Sequence, residues 1–215
     1  MVYFQKSQPT PTITKNYNTT DIIERLEQDF HNKCYICEEK APKDINVEHF
    51  VAHQGDEDLK YDWDNLFLSC SHCNNIKSND YNNLLNCTKL DDKVDTVLYY
   101  KINPFPKEKV QIMIKNSSSK AIQTKELLEK CFNGEHTPQK KLESANLRSL
   151  LLKEIRIFQD LLFEYEEYND DLILNKIKYH LSNKSAFTAF KRWIIRDSEY
   201  LKTKFEQYIR DGSNI

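Results

Sequence analysis

The chain has 215 residues, 39% of them hydrophobic and 30% charged, with three glycines, 12 tyrosines and 11 phenylalanines. That is the make-up of a helix-rich globular chain with enough aromatic surface to bury a core, and it excludes the disordered and collagen-like classes. Net charge is −2, which alone argues neither for nor against nucleic acid, and no apolar run approaches the roughly 20 residues of a membrane span.

Residues 1–19, rich in Thr, Pro and Asn, read as an extended arm without the apolar stretch of a secretion signal. "TTDIIERLEQDF" follows as a short helix, with Asp21 and Glu24 spaced like a capping box and Ile22, Ile23, Leu26 and Phe30 on one face. It opens a unit at residues 20–90 that is irregular beyond residue 30, with strand-like pieces at 45–49 and 66–69. Residues 91–118 connect onward. Their "VLYYKINPFPKEKVQIMIK" alternates at Val110, Ile112 and Ile114 after a proline-bearing turn, as a hairpin does.

Residues 119–215 are helical in pattern. Leu142, Leu147, Leu150, Leu151, Ile155, Phe158, Leu162 and Tyr165 recur at three- and four-residue steps as one long amphipathic helix. "DDLILNKIKYHL", "AFTAFKRWIIRD" and "YLKTKFEQYI" read as three shorter ones. The expected fold class is α+β, mostly α, with a small metal-stabilised module joined to a larger helical half.

The six cysteines sit in a chain expected to be cytoplasmic, where thiols are metal ligands or reactive groups more often than disulfides. Cys34-x-x-Cys37 and Cys70-x-x-Cys73 supply four thiolates, a soft tetrahedral set suited to structural Zn2+. The competing readings are a redox pair or four ordinary buried cysteines. A redox C-x-x-C usually accompanies a βαβ pattern that is absent here. The gap between the two pairs exceeds the 15–20 residues usual for paired knuckles, so the insert is where function is sought.

That insert holds Glu48-His49 at the end of one strand-like piece and Asp64-Asn65-Leu66 opening the next, with Asn74 and Lys77 directly after Cys73. Hydrolysis of a phosphodiester needs a base for the water and a divalent ion for the phosphoryl and leaving oxygens. A His beside a carboxylate serves both needs, provided that the strand bends to bring Glu48 and His49 to one site. Mg2+ takes hard oxygen ligands, and Glu48 and the Asn74 amide offer them.

The order Glu48-His49, Asn65-Leu66, Cys70-x-x-Cys73-Asn74-x-x-Lys77 resembles an HNH endonuclease, the ββα-metal finger in its zinc-knuckle form. The resemblance implies that His49 is the general base and that Glu48 and Asn74 hold a catalytic Mg2+ or Mn2+. It implies that Asn65 fixes the loop that orients His49, and that Cys34, Cys37, Cys70 and Cys73 hold structural zinc. Glu48 stands where many such enzymes have the shorter Asp, and Asn74 where many have His. "YFQKSQPTP", "VEHFVAH…YDWDNLFLSCSHCNNIKS" and "SAFTAFKRWIIRD" are further similar to the HNH subunit of the Septu antiphage system, the PtuB family, which includes nucleases attached to some retrons. That resemblance implies a DNA endonuclease assembled with an ABC or RecF-like ATPase of the PtuA type, and makes the helical region at 119–215 the expected partner-docking part. Two other readings stand beside it: an RNA nuclease, of tRNA for example, in a retron-type system involving retron RNA or DNA, and a zinc-knuckle module that binds nucleic acid or protein without catalysis.

Of the remaining residues, His53 and Lys77 are candidate phosphate contacts, each weighed against an ordinary surface role. His72 reads as a solvent-facing knuckle residue, Trp63 as a core plug, and Cys87 and Cys131 as lone thiols. Lys191, Arg192 and Arg196 read as the solvated face of a helix, or a nucleic-acid or partner contact. One tension remains: residues 31–80 carry five basic against ten acidic side chains, whereas 101–131 carry seven against three and 137–210 carry 14 against 11. Non-specific nucleic-acid binding rests on Lys and Arg, so the helical half or a partner is expected to supply the basic surface.

Overall fold

A computed structural model describes residues 1–13 and 15–209. Helix α1 (Thr20–Asp29) buries Ile22 and Leu26, as the spacing requires. Its N-cap is Thr19, in extended backbone with no side-chain cap bond, and Asp21 lies one position inside the first turn. The chain then turns sharply into strand β1 (Ile45–His49). A loop carrying the one-turn helix α2 (Glu57–Tyr61) returns it as β2 (Leu66–Cys70), which is buried along its whole length. The two strands pair antiparallel, Ile45 opposite Cys70 and His49 opposite Leu66. Helix α3 (Ser71–Lys77) follows β2 without a linker, so Cys70 is at once the last strand residue and the helix N-cap.

A short α4 (Val94–Val97) leads into β3 (Leu98–Lys101), which pairs antiparallel with β4 (Gln111–Ile114) around the proline-bearing loop. Four helices then close the fold around α6: α5 (Ser119–Asn133), α6 itself (Pro138–Tyr168), α7 (Asp171–Leu181) and α8 (Thr188–Arg196), with a short α9 (Glu199–Phe205) at the end. Their starts are set by local chemistry. Ser118, Thr137 and Asp170 each accept a backbone N–H of the first turn, and Pro138 occupies the first helical position of α6. The buried stripe of α6 is Ser144, Leu147, Leu151, Ile155, Phe158 and Leu161. Leu142 and Leu150, expected on that stripe, are 62% and 44% exposed, so it is narrower than the sequence periodicity implies. No helix among the described residues is long and apolar enough to cross a membrane.

The main core runs from the first residues through the β1–β2 module to α8, and a second, smaller one fills the space between the far end of α6, α7 and α9. The start of the expected arm belongs to the main core: Met1, Val2 and Phe4 are buried, and Phe4 N–H donates to the Cys87 carbonyl at 2.8 Å. Lys6 follows them in, its ammonium donating to the carbonyls of Trp63 and Leu66. Burial pulls that ammonium down to a pKa of about 8 against the attraction of Asp64, Asp29 and Asp62.

Lys191 and Arg192 correct the reading of a solvated basic helix face, because both are fully buried. Lys191 donates to Glu154 at 2.7 Å and to Ser185 at 2.9 Å. Arg192 ion-pairs with Asp95 and donates to the Leu181 carbonyl at 3.0 Å and to Asn183 at 2.6 Å, tying α8 to α4 and to the end of α7. Removing one partner leaves the other as an uncompensated buried charge. We expect Asp95→Ala to destabilise the chain by about 3–5 kcal/mol. In a thermal melt that is a fall of roughly 6–20 °C at this chain length, and a fall of under two degrees contradicts it.

Candidate functional site

Cys34 and Cys37 come from the turn after α1, Cys70 from the end of β2 and Cys73 from the first turn of α3. All four are buried and unpaired, and their sulfurs lie within 4.8 Å of one another. Cys37 Sγ and Cys70 Sγ are 3.9 Å apart, close to the roughly 3.8 Å edge of a tetrahedron with 2.3 Å zinc–sulfur bonds. Burial pushes the Cys37 and Cys73 thiols well up, a cost that a cation at the centre offsets by taking the place of their protons. The donor set fits structural zinc.

Glu38, next after Cys37, has φ +64°, in the left-handed region where a side chain costs about 1–2 kcal/mol. Its buried carboxylate holds it there, pairing with Lys33 at 3.3 Å and the Met1 amino group at 3.0 Å and accepting from Ala189 N–H at 3.2 Å. Desolvation works to raise the Glu38 carboxyl, yet these cations prevail and hold its pKa at about 2.

His49 ends β1. Its Nε2 lies 3.0 Å from the Lys60 carbonyl oxygen, which can only accept. The proton therefore sits on Nε2 and the lone pair on Nδ1. The ring is packed edge-on by Tyr17 of the N-terminal arm, centroids 4.7 Å apart, and is flanked by His53, also at 4.7 Å. Burial is the main force lowering the His49 pKa below its usual value, with positive neighbours adding to it, so the imidazole resists protonation. His53 Nδ1 in turn accepts the Gly55 N–H at 3.1 Å. Gly55 has φ +96°, a conformation other residues seldom adopt.

Asn65 is 5% exposed and clasps the loop between these residues. Its amide donates to the carbonyls of Val51 and Leu59, both at 2.9 Å, and accepts Val51 N–H at 2.8 Å. Leu59 immediately precedes the residue whose carbonyl holds His49. Asn82, not singled out in the sequence, secures the same loop from the other side by accepting Ala52 N–H at 2.8 Å.

Glu48 has different company. Lys77 of α3 is fully buried, and its ammonium donates to Glu48 Oε1 at 2.7 Å and to the His49 carbonyl at 2.8 Å. Desolvation raises the Glu48 carboxyl above its usual range, and Lys77 only partly opposes this. Glu48 and His49 are thus held by different elements, the one by α3 and the other by the α2 loop and the arm. Lys77 is a brace across the β1–α3 seam, with none of the exposure a phosphate contact needs. Asn74 stands one position beyond Cys73, half-buried. The remaining Glu48 oxygen and the Asn74 amide oxygen are hard donors of the kind Mg2+ and Mn2+ prefer.

His72, expected to face solvent, instead points across to the helical half. Its Nδ1 meets Glu143 of α6 at 2.7 Å, and its Nε2 meets the Cys131 carbonyl of α5 at 2.8 Å. Desolvation works against the Glu143 carboxylate, but hydrogen bonds from Lys140, His72 and Gln139 hold its pKa at about 2. Trp63 is 1% exposed and does plug the core. Tyr17 and Lys60 had no local signature, since one acts from a distant arm and the other through its backbone.

The family model of HNH endonucleases fits residues 34–80, the span from the first cysteine of the four to just past α3. No curated protein and no solved structure matches the chain.

Proposed function

We propose that the HNH endonuclease domain at residues 34–80 makes this chain a divalent-metal-dependent nuclease that cleaves DNA as the effector subunit of a Septu-like, ATPase-coupled defence complex. The observation that carries the nuclease reading is His49, its Nε2 committed to the Lys60 carbonyl and its basic nitrogen left over, beside a four-cysteine site inside the matched span. His49 Nδ1 takes the proton of the attacking water. Asn65 and Lys60 hold the ring in that tautomer, and Lys77 fixes the strand end through the His49 carbonyl. Glu48 and Asn74 would hold the divalent ion, which when bound would supply the positive charge that phosphodiester hydrolysis needs on the phosphoryl and leaving oxygens. The Septu assignment rests on the resemblance of the three quoted stretches.

The test is incubation of the zinc-loaded chain with supercoiled plasmid and, separately, with transfer RNA, with Mg2+ or Mn2+, alone and with an ATPase of the PtuA type. We expect nicking or linearisation of plasmid, weak for the chain alone and strong for the assembly. Cleavage confined to RNA would replace the substrate and keep the chemistry, whereas no cleavage of either would count against the enzyme.

The pH profile follows from burial. A base with a lowered pKa stays neutral in mild acid, so the acid limb of the single-turnover rate should lie below pH 6.5, the usual histidine value. A limb centred above 6.5 excludes His49 in this environment as the base.

A further inference from the structure

A groove with a volume of about 820 Å3 runs between the β3–β4 loop and the exposed face of α6, and none of the residues of the His49 site lines it. Its α6 wall presents the exposed Lys141, Lys153 and Arg156 beside the half-buried Arg148, which already donates to the Phe132 carbonyl, and its loop wall presents Lys107. The acidic groups at its edge are engaged: Glu135 pairs with Lys109 at 3.0 Å, and Glu108 accepts from Asn103 at 3.0 Å. On the lip stands Phe105, 63% exposed and held between Pro104 and Pro106. A large aromatic ring kept in water between two stiff residues does nothing for this chain's own core.

We propose that this groove is a nucleic-acid track, in which the α6 cations run along the phosphates of one strand and Phe105 stacks on an unpaired base. The proposal deepens the nuclease reading and rests on it. Charge complementarity is the first argument, because the β1–β2–α3 module is acidic and cannot carry a strand by itself. Placement is the second: Lys141, Lys153 and Arg156 follow one another along α6, about 18 and 4.5 Å apart along its axis, so their charges run the length of the groove. A cationic groove with an exposed aromatic is also how strands are bound without regard to sequence. Continuity is the third: Lys141 stands between Lys140 and Glu143, which pair with each other, and Glu143 meets His72 at the start of α3, the helix that carries Asn74.

The experiment measures the affinity of the full-length, zinc-loaded chain for a fluorescein-labelled 20-nucleotide single strand, the matching duplex and polyglutamate. No Mg2+ or Mn2+ is added, and KCl is varied from 20 to 150 mM. The variants are Phe105→Ala and the double reversal Lys153→Glu/Arg156→Glu, both at exposed positions. We expect salt-labile binding of the wild type to the single strand. The double variant should weaken it by about tenfold or more and flatten the logarithmic salt slope by about 1.4, two lost phosphate contacts. Phe105→Ala should weaken the single strand by about fivefold or more and spare the duplex. An unchanged affinity in both variants, no binding at 20 mM KCl, or polyglutamate bound as tightly and with the same dependence on Lys153 and Arg156 would each overturn the proposal; the last would assign the groove to an acidic protein. Plasmid cleavage by the wild type is scored separately, so failure of the groove and failure of the nuclease reading are distinguishable.

Discussion

His49→Ala is expected to lower the cleavage rate by about two to four orders of magnitude, the range of a lost general base, while the melting temperature stays within a few degrees of wild type. The side chain contributes one hydrogen bond to the fold, to the Lys60 carbonyl, and two ring contacts. A hydrogen bond of that kind contributes about 0.5–1.5 kcal/mol net. The loop it touches is independently held by Asn65 and Asn82. The chemical loss should therefore far exceed the structural one, and the measurement is a single-turnover rate beside a thermal melt. His49→Gln sharpens the test, since its amide can still donate to the Lys60 carbonyl but cannot take up a proton. Equal rates for wild type and both variants would leave the four-cysteine site as scaffold for a module that binds without cutting.

The second large effect concerns the cysteines. Cys73→Ser, or exposure to a strong zinc chelator, should unfold the region from Cys34 to Lys77. The metal joins the turn after α1 to the corner at which β2 runs directly into α3, reinforcing the Tyr35 N–H bond to the Leu68 carbonyl and the Tyr35–Phe67 ring contact. Apparent binding energies of structural zinc are about 10–16 kcal/mol at neutral pH, comparable to the whole stability of a domain. Trp63 reports the change from inside, because it is 1% exposed and should shift to red-edge emission when the strands part. Elemental analysis should find a single zinc ion in the wild type and none in the variant. A zinc-free chain with unshifted Trp emission and an unchanged melt would remove the metal from the account.

How legible all this was depended on how far apart the partners lie. The two C-x-x-C pairs and the strand pieces at 45–49 and 66–69 announced themselves, because a knuckle and a strand are each built from residues a few positions apart; the start of α3 at Ser71, ahead of Cys73, did not. The hairpin around the proline-bearing loop and the helices from 119 onward were legible for the same reason. Lys77, Lys191 and Arg192 were not. Each is a cation whose burial depends on a distant carboxylate, Glu48, Glu154 and Asp95 respectively, and nothing local distinguishes such a lysine from one in water. The arm misled similarly: "YFQKSQPTP" has the polar, proline-bearing look of a loop, yet its first apolar residues fill a space whose walls come from later in the chain. His72 looked solvent-facing because its partners on α5 and α6 are 59 and 71 positions away.

The Glu38 junction carries a consequence for how the protein is made. The residue that closes the first zinc knuckle is fastened to Phe187 and Ala189, 149 and 151 positions downstream, through the Glu38 carbonyl and carboxylate. A ribosome adding about 5–20 residues each second needs roughly 8–30 s to travel between them. Throughout that interval the left-handed turn at Glu38 lacks its C-terminal anchor, and the carboxylate that holds it has only part of its network. The module at residues 34–80 of the nascent chain is therefore incompletely braced until α8 has left the ribosome.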